Sequence, residues 1–118
     1  PALLVFITTI AAAQPGHPDW IEGRWLSGND HIWVFERINN GDEGIITVYE
    51  NDEIIEVWGW RWKGNETYHI KRYYNHYESF VVYVMGNNKF RLQSFRDANT
   101  SWVLTRLEKT LSELEESL

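Results

Sequence analysis

No cysteine occurs in the 118 residues, so neither a disulfide framework nor a lipid-modified cysteine can help hold or anchor this chain. Basic residues are in deficit: 11 Lys and Arg stand against 17 Asp and Glu, a formal charge of -6. A nucleic-acid partner would want a basic face, and none is expected. Long apolar runs are missing too. Leu3-Leu4-Val5-Phe6-Ile7 is far shorter than the ~20 residues that cross a bilayer, so the chain is not expected to span a membrane. Catalytic motifs are also lacking. Ser27, Ser79, Ser94 and Ser101 have no nucleophile-elbow context, and no paired-carboxylate or phosphate-loop pattern is present, so no enzyme activity is expected. His17, His31, His69 and His76 show neither His-x-His nor His-x3-His spacing, which favours solvated or hydrogen-bonded histidines over a metal or cofactor site. His69 is the best placed of the four for ligation of haem through a single histidine.

What the chain does hold is regular punctuation. Turn signals fall at Gly28-Asn29-Asp30, Asn39-Asn40-Gly41-Asp42, Asn51-Asp52, Gly64-Asn65, Asn75-His76, Gly86-Asn87-Asn88 and Asp97-Ala98-Asn99-Thr100. They are spaced about eleven residues apart, and Gly, Asn and Asp tolerate the positive φ that tight hairpins need. Between them the chain is loaded with Trp, Tyr, Ile, Val and Phe, residues that suit strands. Seven turns separate eight strands, at approximately 22–28, 31–38, 43–50, 53–62, 66–74, 77–85, 89–96 and 101–108. Several strands carry large apolar groups on both faces, as where Ile32, Val34 and Ile38 alternate with Trp33 and Phe35. An all-β, eight-stranded antiparallel up-and-down meander barrel satisfies both faces and removes the unpaired edges. A two-layer sandwich of the same hairpins is the structural alternative. With 7 Trp, 6 Tyr and 5 Phe, packing alone can stabilise a domain of this size.

The two ends read differently from the middle. Residues 1–13 combine the apolar run with Ala11-Ala12-Ala13, the pattern of a signal-peptide h-region and small-residue cleavage site. Cleavage near Ala13 would leave residues 14–118 as the folded domain and export it to the periplasm or the exterior. A buried first strand is the alternative for that run. At the other end Thr110 and Glu113 have capping-box spacing, and Leu107, Leu111, Leu114 and Leu118 recur at helical intervals, which predicts a short amphipathic helix after the last strand.

Asp19-Trp20-Ile21-Glu22-Gly23-Arg24-Trp25 resembles the start of a lipocalin-like (calycin-type) domain, and the chain is similar to the short lipocalin-like domains of exported bacterial proteins. The resemblance implies a capped turn and then Gly-x-Trp entering the first strand of an eight-stranded calyx. It also implies that Arg106, in Trp102-Val103-Leu104-Thr105-Arg106, lies against the Trp25 indole to shut one end, with Gly23 letting the backbone pass close. The chain departs from the pattern in lacking a Thr-Asp-Tyr-like motif late in the barrel. Arg106-Leu107-Glu108 also lacks the tyrosine of the fatty-acid-binding Arg-x-Tyr, so a carboxylate clamp at Arg106 is not implied.

Trp58, Trp60 and Trp62 share one face of the fourth strand, where indoles can fill a core, line a cavity or stack on sugars. The residues expected to line the lumen are drawn from Trp33, Trp58, Trp60, Tyr68, Tyr83 and Phe90, with Glu36 or Arg72 as a polar group that would orient a ligand. Two functions fit. One is non-enzymatic binding of a small apolar or amphipathic molecule in the lumen, and the other is a protein-interaction or inhibitor module of the cell envelope with a filled barrel. Fold alone does not separate them.

Overall fold

The computed structural model describes residues 14–73 and 75–107. A four-residue helix, α1 (Pro18–Ile21), precedes eight strands: β1 (Gly23–Ser27), β2 (Ile32–Arg37), β3 (Glu43–Glu50), β4 (Glu53–Gly64), β5 (Thr67–Lys71), β6 (Glu78–Gly86), β7 (Lys89–Ser94) and β8 (Ser101–Arg106). Each strand pairs antiparallel with the next, and β1 also pairs with β8 through Trp25↔Arg106, Leu26↔Thr105 and Ser27↔Leu104. That last ladder closes the barrel and excludes the sandwich. The predicted signal segment, residues 1–13, and the predicted tail helix, residues 110–118, lie outside the described residues.

Turn chemistry sets the meander. Asn51 and Asp52 join β3 to β4 with φ of 50° and 67°, and Asn65 and Glu66 join β4 to β5 with φ of 49° and 60°. Left-handed backbone at both central positions is what a two-residue hairpin needs if its twist is to match that of the flanking strands. The main departure from the predicted spans is at β5, which ends at Lys71 where a strand to residue 74 is expected. Arg72 and the residues after it leave the ladder to form a longer connection to β6.

Alternation along each strand places Trp25, Trp33, Phe35, Ile46, Val48, Trp58, Trp60, Tyr68, Ile70, Phe80, Val82, Phe90, Leu92 and Leu104 in one buried core inside the barrel. This choice of face corrects two expected lining residues. With Phe80 and Val82 inward, Tyr83 must point out, and it is 52% exposed. With Trp33 and Phe35 inward, Glu36 must likewise point out, and it is exposed. Both strands are apolar on both faces, so the period of two identifies two candidate sets without ranking them.

Gly44 shows how tightly the inward faces meet. A Cβ there would sit 1.8 Å from the Glu36 carbonyl oxygen and 2.8 Å from Cε2 of Trp60, so glycine makes room for the Trp60 indole. At this end of the barrel α1 lies across the opening and buries Trp20 and Ile21. The Trp25 indole donates to the Ile21 carbonyl at 2.7 Å, and the Tyr68 hydroxyl donates to the Gly16 carbonyl at 2.8 Å. Burial, then the negative charges of Asp19 and Asp42, push the Tyr68 hydroxyl well above its usual pKa, against a smaller opposing effect of Arg37. Arg106 seals the floor from outside: its guanidinium carbon lies 4.2 Å from the Trp25 ring and 5.2 Å from that of Trp20, and it donates to the carbonyls of Trp20 and Glu22. Gly23, at φ 130°, turns the chain from α1 into β1 beside that guanidinium.

Candidate functional site

The other end of the barrel, ringed by residues 28–31, 51–52, 72–73, 75–77 and 95–100, has no covering helix among the described residues. Just inside it β2, β4 and β8 each contribute one indole. Trp33 and Trp58 meet edge to face with centroids 4.9 Å apart, and Trp102 lies 5.1 Å from Trp33 and 5.6 Å from Trp58. Such tilted and T-shaped contacts set the positive edge of one ring against the negative face of another. Together with His31, Glu56 and Tyr73 these indoles border a cavity of about 160 Å³. For comparison, a cavity of about 150 Å³ holds one benzene.

Glu56 is the carboxylate on the cavity border, and Arg72 lies beside the same aromatic cluster without lining the cavity. Leaving the β5 ladder turns its guanidinium onto the aromatic cluster, with its carbon 5.3 Å from the Trp102 ring, 5.4 Å from Phe80, 5.7 Å from Trp58 and 5.3 Å from Tyr73. Burying a cation is costly unless something compensates, and here the ring quadrupoles and one carboxylate do so. Arg72 Nη2 stands 3.4 Å from Glu78 Oε2, and both side chains are largely buried, at 13% and 21% exposed. Arg72 Nε is buried and finds no acceptor among the described residues. At the rim the Tyr73 hydroxyl donates to Glu56, which chiefly accounts for its raised pKa, and His31 Nε2 lies 3.7 Å from Glu50.

Below this level the barrel is filled. Trp60 packs on Tyr68 with centroids 5.6 Å apart, and Phe90 packs on Trp25 at 4.6 Å and on Phe35 at 6.1 Å. Of the residues expected to line the lumen, Trp33 and Trp58 border the cavity and Arg72 rests on the same ring cluster. Trp60, Tyr68 and Phe90 are core residues deeper in the barrel, and Glu36 and Tyr83 are outside it. Trp62, expected to share a face with Trp58 and Trp60, does so, but lies at the opposite end with its ring 4.7 Å from His17. Sequence reasoning missed Trp102. A signal for it existed, because Trp102, Leu104 and Arg106 alternate along the last strand, so placing Arg106 against Trp25 also orients Trp102.

Among the described residues no group of three or more His, Asp or Glu side chains could hold a metal ion, and no helix is long and apolar enough to cross a membrane. The chain matches no protein-family model, no curated protein and no solved structure.

Proposed function

We propose that this barrel is a non-enzymatic binder of a small amphipathic molecule, and that it binds at the mouth rather than deep in the lumen. The observation that carries this reading is the open-mouthed cavity bordered by Trp33, Trp58 and Trp102 above a filled interior. Ligand sites tend to combine apolar walls with a few polar groups that fix orientation, and the mouth offers both. At about 160 Å³ it suits one ring, or the ring-bearing end of a longer molecule, and not a long-chain lipid. The eight-stranded closed barrel, the Gly23-Arg24-Trp25 entry and the Arg106 seal support a lipocalin-like reading of the fold. We propose export on the apolar run and Ala11-Ala12-Ala13. Amino-terminal sequencing from the expressing cell tests it, with an intact Pro1 end in cytosolic protein as the refuting result.

Native mass spectrometry of protein purified from its own cell tests the binding reading. A copurifying small molecule, released when Trp33 or Trp58 is shortened to alanine, is the expected result. The reading fails if no adduct is seen and small aromatic probes leave the Trp fluorescence unchanged. The alternative is a protein-interaction module with a filled barrel. It is favoured by one observation, the exposed apolar residues Ile45, Ile54 and Val57 on the outside of β3 and β4. A partner captured through those residues, lost on Val57→Lys, would establish it.

A further inference from the structure

Resting on the binding reading above, we infer that the mouth takes a small free cation, a methylated ammonium, held between the ring walls of the cavity and the Glu56 carboxylate. The border sets the sign of the charge. Of the nine described residues that line the cavity, Glu56 is the one acidic group and none is Lys or Arg. A second carboxylate, that of Glu50, stands 3.7 Å from Nε2 of His31, which also lines it. Arg72, the nearest arginine to the cluster, lines a different cavity and is offset by Glu78 Oε2 at 3.4 Å. An anion would meet Glu56 with no Lys or Arg on the border to receive it, whereas a cation finds a half-buried carboxylate there.

The walls select the kind of cation. Trp33, Trp58, Trp102 and Tyr73 bring four ring systems to the border. Nε1 of Trp33 and of Trp58 is buried, so these two indoles present ring carbon to the cavity rather than N–H. The three indoles are inclined to one another at 89°, 60° and 45°, so a group seated on them meets π faces as well as edges. Such a face attracts a cation within about 6 Å of its centroid, and Trp does so most strongly. These rings already carry one, since the Arg72 guanidinium carbon lies 5.7 Å from the Trp58 ring and 5.3 Å from that of Trp102. A bare ammonium would bring three donors to a border short of free acceptors. Glu56 Oε1 accepts from Tyr73, Asn29 Oδ1 accepts from Ser27, and His31 Nε2 faces Glu50. Methyl groups remove that demand and spread the charge over carbon, which suits ring walls. A volume of about 160 Å³ takes such a head and little more. With Trp33 and Trp58 only 2% and 3% exposed, the head must enter the barrel end to reach them, which fits a free solute rather than a headgroup held in a membrane surface.

The test is a titration of the whole chain with choline, with its neutral isostere bearing carbon in place of the ammonium nitrogen, and with ethanolamine. Binding is followed through the ring resonances of Trp33, Trp58 and Trp102, each assigned by Trp→Phe replacement. Choline is expected to bind roughly tenfold tighter than the isostere, the range of a desolvated cation–π contact, and ethanolamine is expected to bind more weakly than choline. In Glu56→Gln, which keeps an acceptor for Tyr73, choline affinity falls roughly three- to tenfold. The isostere changes there by no more than about twofold, which also shows that the mouth is still folded. Trp102→Leu removes one ring from the wall and weakens choline more than the isostere. Equal binding of the isostere or of ethanolamine, or an undiminished preference for choline in Glu56→Gln, overturns the inference and leaves the binding reading standing. Sedimentation of the protein with phosphatidylcholine vesicles, unrelieved by free choline, overturns it as well. If neither choline nor the isostere moves any of the three Trp resonances at millimolar concentration, the binding reading itself fails and this inference falls with it.

Discussion

Replacing Arg106 by methionine keeps an unbranched apolar stem and removes the guanidinium, and with it the charge, the planarity and the donors. Two contributions are lost together. The first is the guanidinium on the faces of Trp25 and Trp20, 4.2 and 5.2 Å away, worth about 0.5 to 2 kcal/mol for a partly desolvated cation–π contact. The second is the charged hydrogen bond to the Trp20 carbonyl, worth about 1.5 to 3 kcal/mol. The contact to the Glu22 carbonyl, at 3.5 Å, is too long to add much. Allowing for non-additivity within one side chain, the expected loss is about 2 to 4 kcal/mol, a large part of the 5 to 15 kcal/mol typical of a domain. Urea unfolding should show the midpoint falling by roughly 1 to 2 M with an unchanged slope. Arg106→Lys keeps the charge without the planar fork and should recover less than half of the loss. A double-mutant cycle with Trp25→Phe should return a coupling of about 0.5 to 1 kcal/mol. Stability within about 0.5 kcal/mol of the parent for Arg106→Met, or Lys performing as well as Arg, would refute the account of the sealed floor.

Gly44→Ala forces a Cβ against the Glu36 carbonyl and the Trp60 indole, so β2 and β3 must part locally. A loss of about 2 to 4 kcal/mol by chemical denaturation is expected, and a neutral effect would show that the close approach is not real. Tyr68 supplies a pH test. Its folded-state pKa is raised, so its contribution is fully present below the unfolded value of about 10 and is lost as pH rises beyond it, because there the unfolded chain sheds a proton that the folded chain keeps. Tyr68→Phe should cost about 1 to 3 kcal/mol at neutral pH by leaving the Gly16 carbonyl without its buried donor, and should flatten the alkaline fall in stability by up to ~1.4 kcal/mol per pH unit. An equally steep alkaline fall in the variant would contradict this assignment.

Local chemistry made much of the fold legible before any coordinates. Asn, Asp and Gly mark hairpins because only they enter left-handed backbone cheaply, and the runs between them are too rich in aromatic and β-branched residues to be anything but strands. An even series of such hairpins makes a meander, and strands greasy on both faces favour closing it. Gly23, Trp25 and Arg106 were legible through a resemblance, and they do meet at the floor of the barrel. The face that each strand turns inward was a different matter. Tyr83 and Val82, or Glu36 and Phe35, are one residue apart, and only closure of all eight strands decides which of each pair enters the core. The size of the cavity was equally beyond reach of the chain read alone, because it is the small remainder after every inward side chain has packed. Arg72 depends on both. Its place over the indoles exists only because β5 stops one residue before it and three tryptophans, distant in sequence, converge on the same end of the barrel.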